Sequence, residues 1–253
     1  MSACMPLPPM VDSVGRELLC FITIAFGWSW SVWAVGASFG YTQSRWLFAP
    51  IAWGTMIAGV VVVAASGRGV WAWIRQVIPR RSVGFQWYLA ALCVPLFLTQ
   101  SGHLVGWLLG HSVDVVDPIE FIGDFLFVLL LAGALEEFGW RGYLQQRLQG
   151  RWSALVVGLL IGLLWALWHV PIVAGGGLGY DGNEWLALFL VLPMFSIIMA
   201  WLYNSTRGGL IFVMGFHAMV NASPLATTAD PTPVLELVEL GILFGVPIAI
   251  VLF

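Results

Sequence analysis

Leu135-Glu136-Glu137-Phe138-Gly139-Trp140-Arg141 closes an apolar run that begins at Phe125. Two adjacent carboxylates and an arginine are costly to place at the end of a membrane-length apolar segment. Such groups usually face the interior of a helix bundle or a water-filled cavity, and they are candidates for function. We therefore expect the fold to be a membrane bundle built around this stretch.

The composition of the whole chain agrees with that expectation. The 253 residues are 60% hydrophobic and 9% charged, and the mean hydropathy is +0.92. A soluble domain carries roughly 25% charged residues. These values predict an all-α, polytopic transmembrane helical bundle, an integral multi-pass protein that lies in the cell membrane if the source is prokaryotic. A net charge of −3 gives no reason to expect nucleic acid as a partner.

Apolar runs of about 20 residues predict about eight spans in one membrane domain, residues 1–253. Arginines are concentrated in the loops after spans two, four and six, which predicts that both termini are cytoplasmic. The stretch Arg68–Arg81 interleaves tryptophan and isoleucine with arginine, a pattern typical of an interfacial amphipathic helix. The predicted spans are Leu18–Phe39, Leu47–Ala65, Trp87–Leu109, Pro118–Glu137, Ala154–Ala174, Trp185–Tyr203, Leu210–Leu225 and Val234–Phe253.

The two glutamates are expected to play different parts. Glu137 and Arg141 are four residues apart, so on a helix they lie on one face with the acid in the better order for an ion pair. Glu136 points about 100° away and has no partner in its own helix. An unpaired carboxylate beside a reacting group can act as a general base. Alternatively, the three charges only mark the end of the helix at the lipid headgroups.

Two later spans carry one histidine each, again with a second side chain four residues away. Trp165 and His169 share one face of the fifth span, and His217 and Asn221 share one face of the seventh. Polar groups in an apolar helix need protein partners, because lipid supplies none. Taken alone, a histidine such as His169 near a membrane surface is more often structural than catalytic, and the pair of His217 and Asn221 is explained equally well by hydrogen bonds between helices.

Considered together, the three spans offer complementary chemistry. Glu136 could activate water, His169 could share that water, and His217 and Asn221 could donate hydrogen bonds to a developing oxyanion. The same glutamate and the two histidines could instead ligate Zn²⁺ and leave one position open for water. Both arrangements predict hydrolysis, and the spacing alone does not separate them.

Three motifs in this order resemble the CPBP family, which comprises type II CAAX prenyl endopeptidases and related bacterial Abi proteins. The resemblance covers about residues 118–225, and it departs from the usual family pattern only at Trp165, where phenylalanine is common. The motifs are Glu136-Glu137-x-x-x-Arg141, Trp165-x-x-x-His169 and His217-x-x-x-Asn221.

The resemblance implies an intramembrane endopeptidase whose substrate is a protein or peptide, lipid-modified or anchored in the membrane. It implies that Glu136 is the base and His169 its partner on the water. It also implies that His217 and Asn221 stabilise the oxyanion, with Glu137 and Arg141 in support. The family is also commonly described as metalloproteases, and Glu136 with two histidines is compatible with a metal as well as with a glutamate-dependent reaction.

Two other functions are compatible with the sequence. A non-enzymatic scaffold or a bacteriocin-immunity protein could retain the polar cluster for packing. A transporter with a protonatable glutamate would instead be expected to show paired, similar halves, and none is evident.

A shared site sets one geometric requirement. Glu136 falls near the arginine-rich end of its span, whereas His169 lies roughly 24 Å along the next one. We therefore predict that the fourth helix continues past Glu136 to about Gln149, with its polar residues facing a cavity.

Overall fold

A computed structural model describes residues 10–75, 82–177, 180, 185–222, 226–228 and 232–252. Its helices are α1 Met10–Ser38, α2 Arg45–Ala65, α3 Val70–Ile74, α4 Phe85–Leu108, α5 Pro118–Leu131, α6 Glu136–Gly139, α7 Gln146–Leu148, α8 Ala154–Ala174, α9 Trp185–Ser205, α10 Leu210–Asn221 and α11 Pro233–Leu252. Between α5 and α6 lies a 3₁₀ turn, Gly133–Leu135, and between α6 and α7 a π-helical segment, Trp140–Gln145. Two short strands, β1 Val113–Val115 and β2 Ala226–Thr228, pair antiparallel.

The predicted all-α polytopic bundle is confirmed, and the chain is an integral multi-pass membrane protein. Among the described residues, seven helices are long and apolar enough to cross a bilayer. The predicted seventh span corresponds to α10, which has only 12 residues and is about 18 Å long, short of a hydrocarbon core of about 30 Å. Leu225, where that span was predicted to end, lies outside the described residues, and the placement of the termini stays a prediction.

The fourth span extends beyond its predicted end. The chain from Pro118 to Leu148 forms one 31-residue helical segment, which confirms the predicted continuation past Glu136. Asp117 caps its beginning by accepting a hydrogen bond from the Ile119 amide at 2.7 Å, and Pro118 suits the first helical position because its missing N–H would be unpaired there. This long helix brings its polar residues into the middle of the bundle.

The predicted interfacial helix is partly described. α3 covers Val70–Ile74, and residues 76–81 of the predicted helix lie outside the described residues. Trp73 turns inward, because its indole N–H donates to the Gly142 carbonyl at 2.8 Å and its ring lies 5.5 Å from that of Phe138. The short helix is thereby attached to the long fourth span.

Pairs of neighbouring helices enclose the core. α1 packs along α2, and α8 packs along α9. Gly158 and Gly162 allow the second pair to approach closely, since a Cβ on Gly158 would lie 3.1 Å from the Ile197 Cα and one on Gly162 would overlap the backbone of Pro193. Small residues permit such approach in membranes, where association depends on packing and not on the exclusion of water.

Gly162→Ala is predicted to lower the free energy of unfolding by about 1–3 kcal/mol, because the added methyl group collides with backbone that cannot move aside. Gly241→Ala is the matched control, since a Cβ there meets nothing within 4 Å, and it should be neutral or slightly stabilising. Denaturation of both variants in detergent micelles measures the difference, and equal stabilities would contradict this packing.

Candidate active site

The long fourth helix changes its winding where the functional residues lie. Ala132 leaves the helical region of backbone angles, with φ −126° and ψ −129°. The 3₁₀ turn follows, then α6 with both glutamates, then the π-helical segment that contains Arg141. π-helical insertions are rare and occur frequently at functional sites. In this stretch of changing helical winding, Glu136, Glu137 and Arg141 all point inward, and none of the three has any exposed surface.

Glu137 holds the charged network together. Its Oε1 accepts from Arg141 Nη1 at 3.0 Å and from His217 Nδ1 at 2.7 Å. Arg141 also donates through Nη2 to the Ser196 hydroxyl at 3.0 Å. The predicted ion pair between Glu137 and Arg141 is therefore present, and it extends to α9 and α10. Charges inside a membrane protein are tolerated when they are paired in this way.

Glu136 occupies a different environment from its neighbour. Its Oε2 accepts from the indole N–H of Trp165 at 2.9 Å and from that of Trp140 at 3.2 Å, and its backbone carbonyl accepts from the Thr55 hydroxyl at 3.1 Å. Its Oε1 is buried and has no hydrogen-bond partner among the described residues. The indoles thus fix the carboxylate and leave one oxygen available.

The rings of both histidines lie close to that of Trp165. The Trp165 ring centroid is 5.8 Å from that of His169 and 5.2 Å from that of His217. His169 Nδ1 is 2.9 Å from the Trp165 carbonyl, which can only accept, so Nδ1 carries a proton and the neutral ring leaves Nε2 as an acceptor. Nε2 of His217 is buried without a partner among the described residues.

Gly133 marks a point at which two predicted donors converge. A Cβ on this glycine would lie 2.7 Å from His217 Nε2 and 2.9 Å from Asn221 Nδ2. The His217 side chain is buried, whereas Asn221 is exposed, so the site reaches the surface beside Asn221. The two nitrogens therefore approach Gly133 so closely that a side chain at this position would collide with them.

All seven predicted residues therefore belong to one connected cluster, drawn from the long fourth helix, α8 and α10. Sequence reasoning missed Trp140, Ser196 and Thr55. The spacing could have identified Trp140 as a neighbour of Glu136, because it lies four residues later and so on the same helical face. No feature of the sequence indicates Ser196 or Thr55, since their contacts depend on how α9 and α2 pack.

The arrangement gives no support to a metal centre. Within the parts of the chain that the structure describes, no three His, Cys, Asp or Glu side chains are grouped closely enough to hold a metal ion. The hydrogen bonds of Glu136 and of both histidines engage Oε2 and the Nδ1 atoms, so they do not bear on ligation through Oε1 and Nε2. The Zn²⁺ set of Glu136, His169 and His217 stays a prediction.

Comparisons with known proteins agree with the motifs. Residues 118–223 match the sequence model of the family described as Type II CAAX prenyl endopeptidase Rce1-like. The predicted family resemblance is confirmed. The matched residues contain every member of the polar cluster that comes from the long fourth helix, α8, α9 and α10.

Two kinds of curated relative are similar to this chain. The "CAAX prenyl protease 2" of Methanococcus maripaludis is 38% identical over 146 residues, which cover 53% of this chain and 52% of the relative. The "Lysostaphin resistance protein A" of Staphylococcus haemolyticus is 27% identical over 122 residues, 48% of this chain and 31% of the relative. The protein of that name in Staphylococcus epidermidis is 28% identical over 134 residues, which cover 51% of this chain and 34% of the relative. The chain thus spans about half of the archaeal relative and about a third of the staphylococcal ones.

Arg141→Met is predicted to lower the free energy of unfolding by about 3–5 kcal/mol, because it leaves Glu137 buried without its main counter-charge. Arg151→Met is the matched control, since Arg151 is exposed just beyond the same helical segment, and it should change stability by less than about 0.5 kcal/mol. Chemical denaturation in micelles compares the two. Equal, small effects would show that the ion pair contributes nothing to the fold.

Proposed function

We propose that this chain is an intramembrane endopeptidase of the CPBP type in which Glu136 activates the attacking water. The observation that carries the proposal is the partnerless Oε1 of Glu136, buried in the same cluster as the equally partnerless Nε2 of His217. Orphaned polar atoms inside a protein are costly unless something else satisfies them. A water molecule and a peptide carbonyl supply the missing partners.

In the proposed reaction, Glu136 takes a proton from water while the oxygen attacks the carbonyl carbon of the scissile bond. The proton then passes from Glu136 to the leaving nitrogen as the tetrahedral intermediate collapses. His169 orients the same water, because its Nε2 is an acceptor as long as Nδ1–H remains bound to the Trp165 carbonyl. Burial keeps bulk water away and strengthens each electrostatic interaction.

The oxyanion is proposed to form beside Gly133, held by His217 Nε2 and Asn221 Nδ2. Donation from Nε2 requires a proton there in addition to the one on Nδ1, which faces Glu137. With both glutamates ionised, such a doubly protonated His217 and Arg141 make the buried cluster neutral, which limits its desolvation cost. After Glu136 accepts a proton, the new oxyanion restores that balance at the place where the donors converge.

The substrate is proposed to be a membrane-associated protein or peptide, lipid-modified or membrane-anchored. Membrane burial of the base favours a chain that reaches the site from the bilayer. The Methanococcus maripaludis relative is named a CAAX prenyl protease, so a prenylated peptide is the first substrate to test. The proposed reaction uses no metal ion. Addition of the chelator EDTA should therefore leave the rate of peptide cleavage unchanged.

Glu136→Gln is predicted to reduce cleavage by about 10²–10⁴-fold, the usual contribution of a general base. The amide still accepts from the two indoles, so the free energy of unfolding should change little. The assay uses the chain in lipid nanodiscs with a peptide ending in a prenylated cysteine and three further residues. A second peptide carries a transmembrane tail instead of the prenyl group.

Glu120→Gln is the control for this assay, because Glu120 is exposed at the far end of α5 and should leave the rate unchanged. Full activity of Glu136→Gln, or no cleavage of either peptide by the wild-type chain, would contradict the proposal and favour a non-enzymatic scaffold.

Gly133→Ala is predicted to lower kcat by about 10²-fold, similar to the loss of one oxyanion donor, because the added methyl group would collide with His217 Nε2 and Asn221 Nδ2 and displace both donors. Gly123→Ala in α5 is the matched control, since a Cβ there meets nothing within 4 Å. The KM for the peptide should be similar in both variants and in the wild-type chain. Unchanged kcat in Gly133→Ala would place the oxyanion elsewhere.

A further inference from the structure

A cavity lies outside the candidate active site. Its volume is about 260 Å³, and it opens between the end of α2, α3 and the last turns of the long fourth helix. Its lining includes the apolar side chains of Val63, Ala72 and Trp73 and the polar side chains of Arg68, Tyr143 and Arg147. None of these residues contributes to the proposed hydrolysis.

The polar side chains of this cavity already hold one carboxylate. Glu17 Oε2, from α1, accepts from Arg147 Nη2 at 2.8 Å, from Arg68 Nη2 at 2.9 Å and from the Tyr143 hydroxyl at 3.3 Å. Three donors, one from the loop after α2 and two from the long fourth helix, thus converge on a single anionic oxygen. The geometry of the cavity is therefore suited to anionic oxygen atoms.

Glu17 does not satisfy all of these donors. Two guanidinium groups carry ten N–H bonds between them, and one carboxylate balances only one of the two positive charges. Arg68 Nε donates to the Ser66 hydroxyl, but Arg147 Nε is buried and has no partner among the described residues. Among the contacts of the described residues, one positive charge and a buried donor are left for another anion.

The location of the cavity indicates what that anion is attached to. Arg68 follows the end of α2, Arg147 lies in the last turn of the fourth span, and Glu17 is near the start of the first span. All three therefore lie at the ends of membrane-spanning helices, at the depth of the lipid headgroups. Trp73 and Tyr143 add the aromatic side chains that are typical of that depth.

We propose that Arg68 and Arg147 bind the phosphate of an anionic lipid headgroup in this cavity. Basic pockets between helix ends recognise such headgroups through charge-assisted hydrogen bonds. Tyr143 keeps its hydrogen bond to Glu17, and the apolar side chains of Val63, Ala72 and Trp73 contact the beginning of the acyl chains. The bound lipid shares the two arginines with Glu17 and ties α1 and α3 to the fourth span.

Native mass spectrometry of the full chain in detergent, titrated with phosphatidylglycerol or phosphatidylcholine, tests the proposal. The wild-type chain should bind phosphatidylglycerol more tightly than phosphatidylcholine. Arg68→Gln and Arg147→Gln should each weaken phosphatidylglycerol binding about fivefold, which corresponds to about 1 kcal/mol per arginine. Arg75→Gln is the matched control, because Arg75 is exposed on the same side of the protein but does not line the cavity, and it should bind as the wild type does.

Glu17→Gln separates lipid binding from a purely structural role of the cluster. It removes the competing carboxylate, so phosphatidylglycerol should bind more tightly although an ion pair is lost. Weaker binding in Glu17→Gln, or equal binding by the variants at positions 68, 75 and 147, would overturn the site. Displacement of phosphatidylglycerol by inorganic phosphate at equal concentration would overturn the assignment to a lipid.

Discussion

The structure depends on one buried carboxylate, that of Glu137, which contacts both Arg141 and His217. Lipid offers no counter-charge and no hydrogen-bond partner, so each of these groups is tolerable only while the others are in place. The contacts join α6 to α10 directly, and Arg141 extends them to Ser196 in α9. Three helices therefore take their relative positions from one ionic network.

That network assigns different parts to two neighbouring glutamates. Glu137 contacts Arg141 through Oε1 at 3.0 Å and Oε2 at 2.9 Å, and it contacts His217 through Oε1 at 2.7 Å. Glu136 is restrained only by two indole N–H groups on one oxygen and keeps the other oxygen available. Adjacent residues on a helix point about 100° apart, and this rotation places one carboxylate in the ionic network and the other at the proposed reaction centre.

Much of this site could be predicted from spacing within single helices. A separation of four residues indicated that Glu137 meets Arg141 and that His169 shares a face with Trp165. The need to bring Glu136 close to His169 predicted that the fourth helix is long. Local periodicity determines all of these features, and periodicity is what a sequence displays most directly.

Other features depended on how separate helices pack, which no spacing reveals. The contact between Glu137 and His217 joins residues 80 positions apart, and Ser196 and Thr55 enter the cluster from helices that carry no motif. The 3₁₀ turn and the π-helical segment change the winding around both glutamates. Hydropathy also could not distinguish α10, a half-length helix inside the bundle, from a full span, because both are equally apolar.

The most direct test of the central claim, that Glu136 activates water for peptide hydrolysis, is a comparison of new protein termini in living cells. Membranes containing the wild-type chain or Glu136→Gln at matched abundance would be analysed by mass spectrometry of protein ends. The account predicts a set of termini that appears only with the wild-type chain and that identifies the substrate. Identical termini in the two membranes, with any cellular effect of the protein retained in the variant, would contradict it and leave Glu136 as a packing residue.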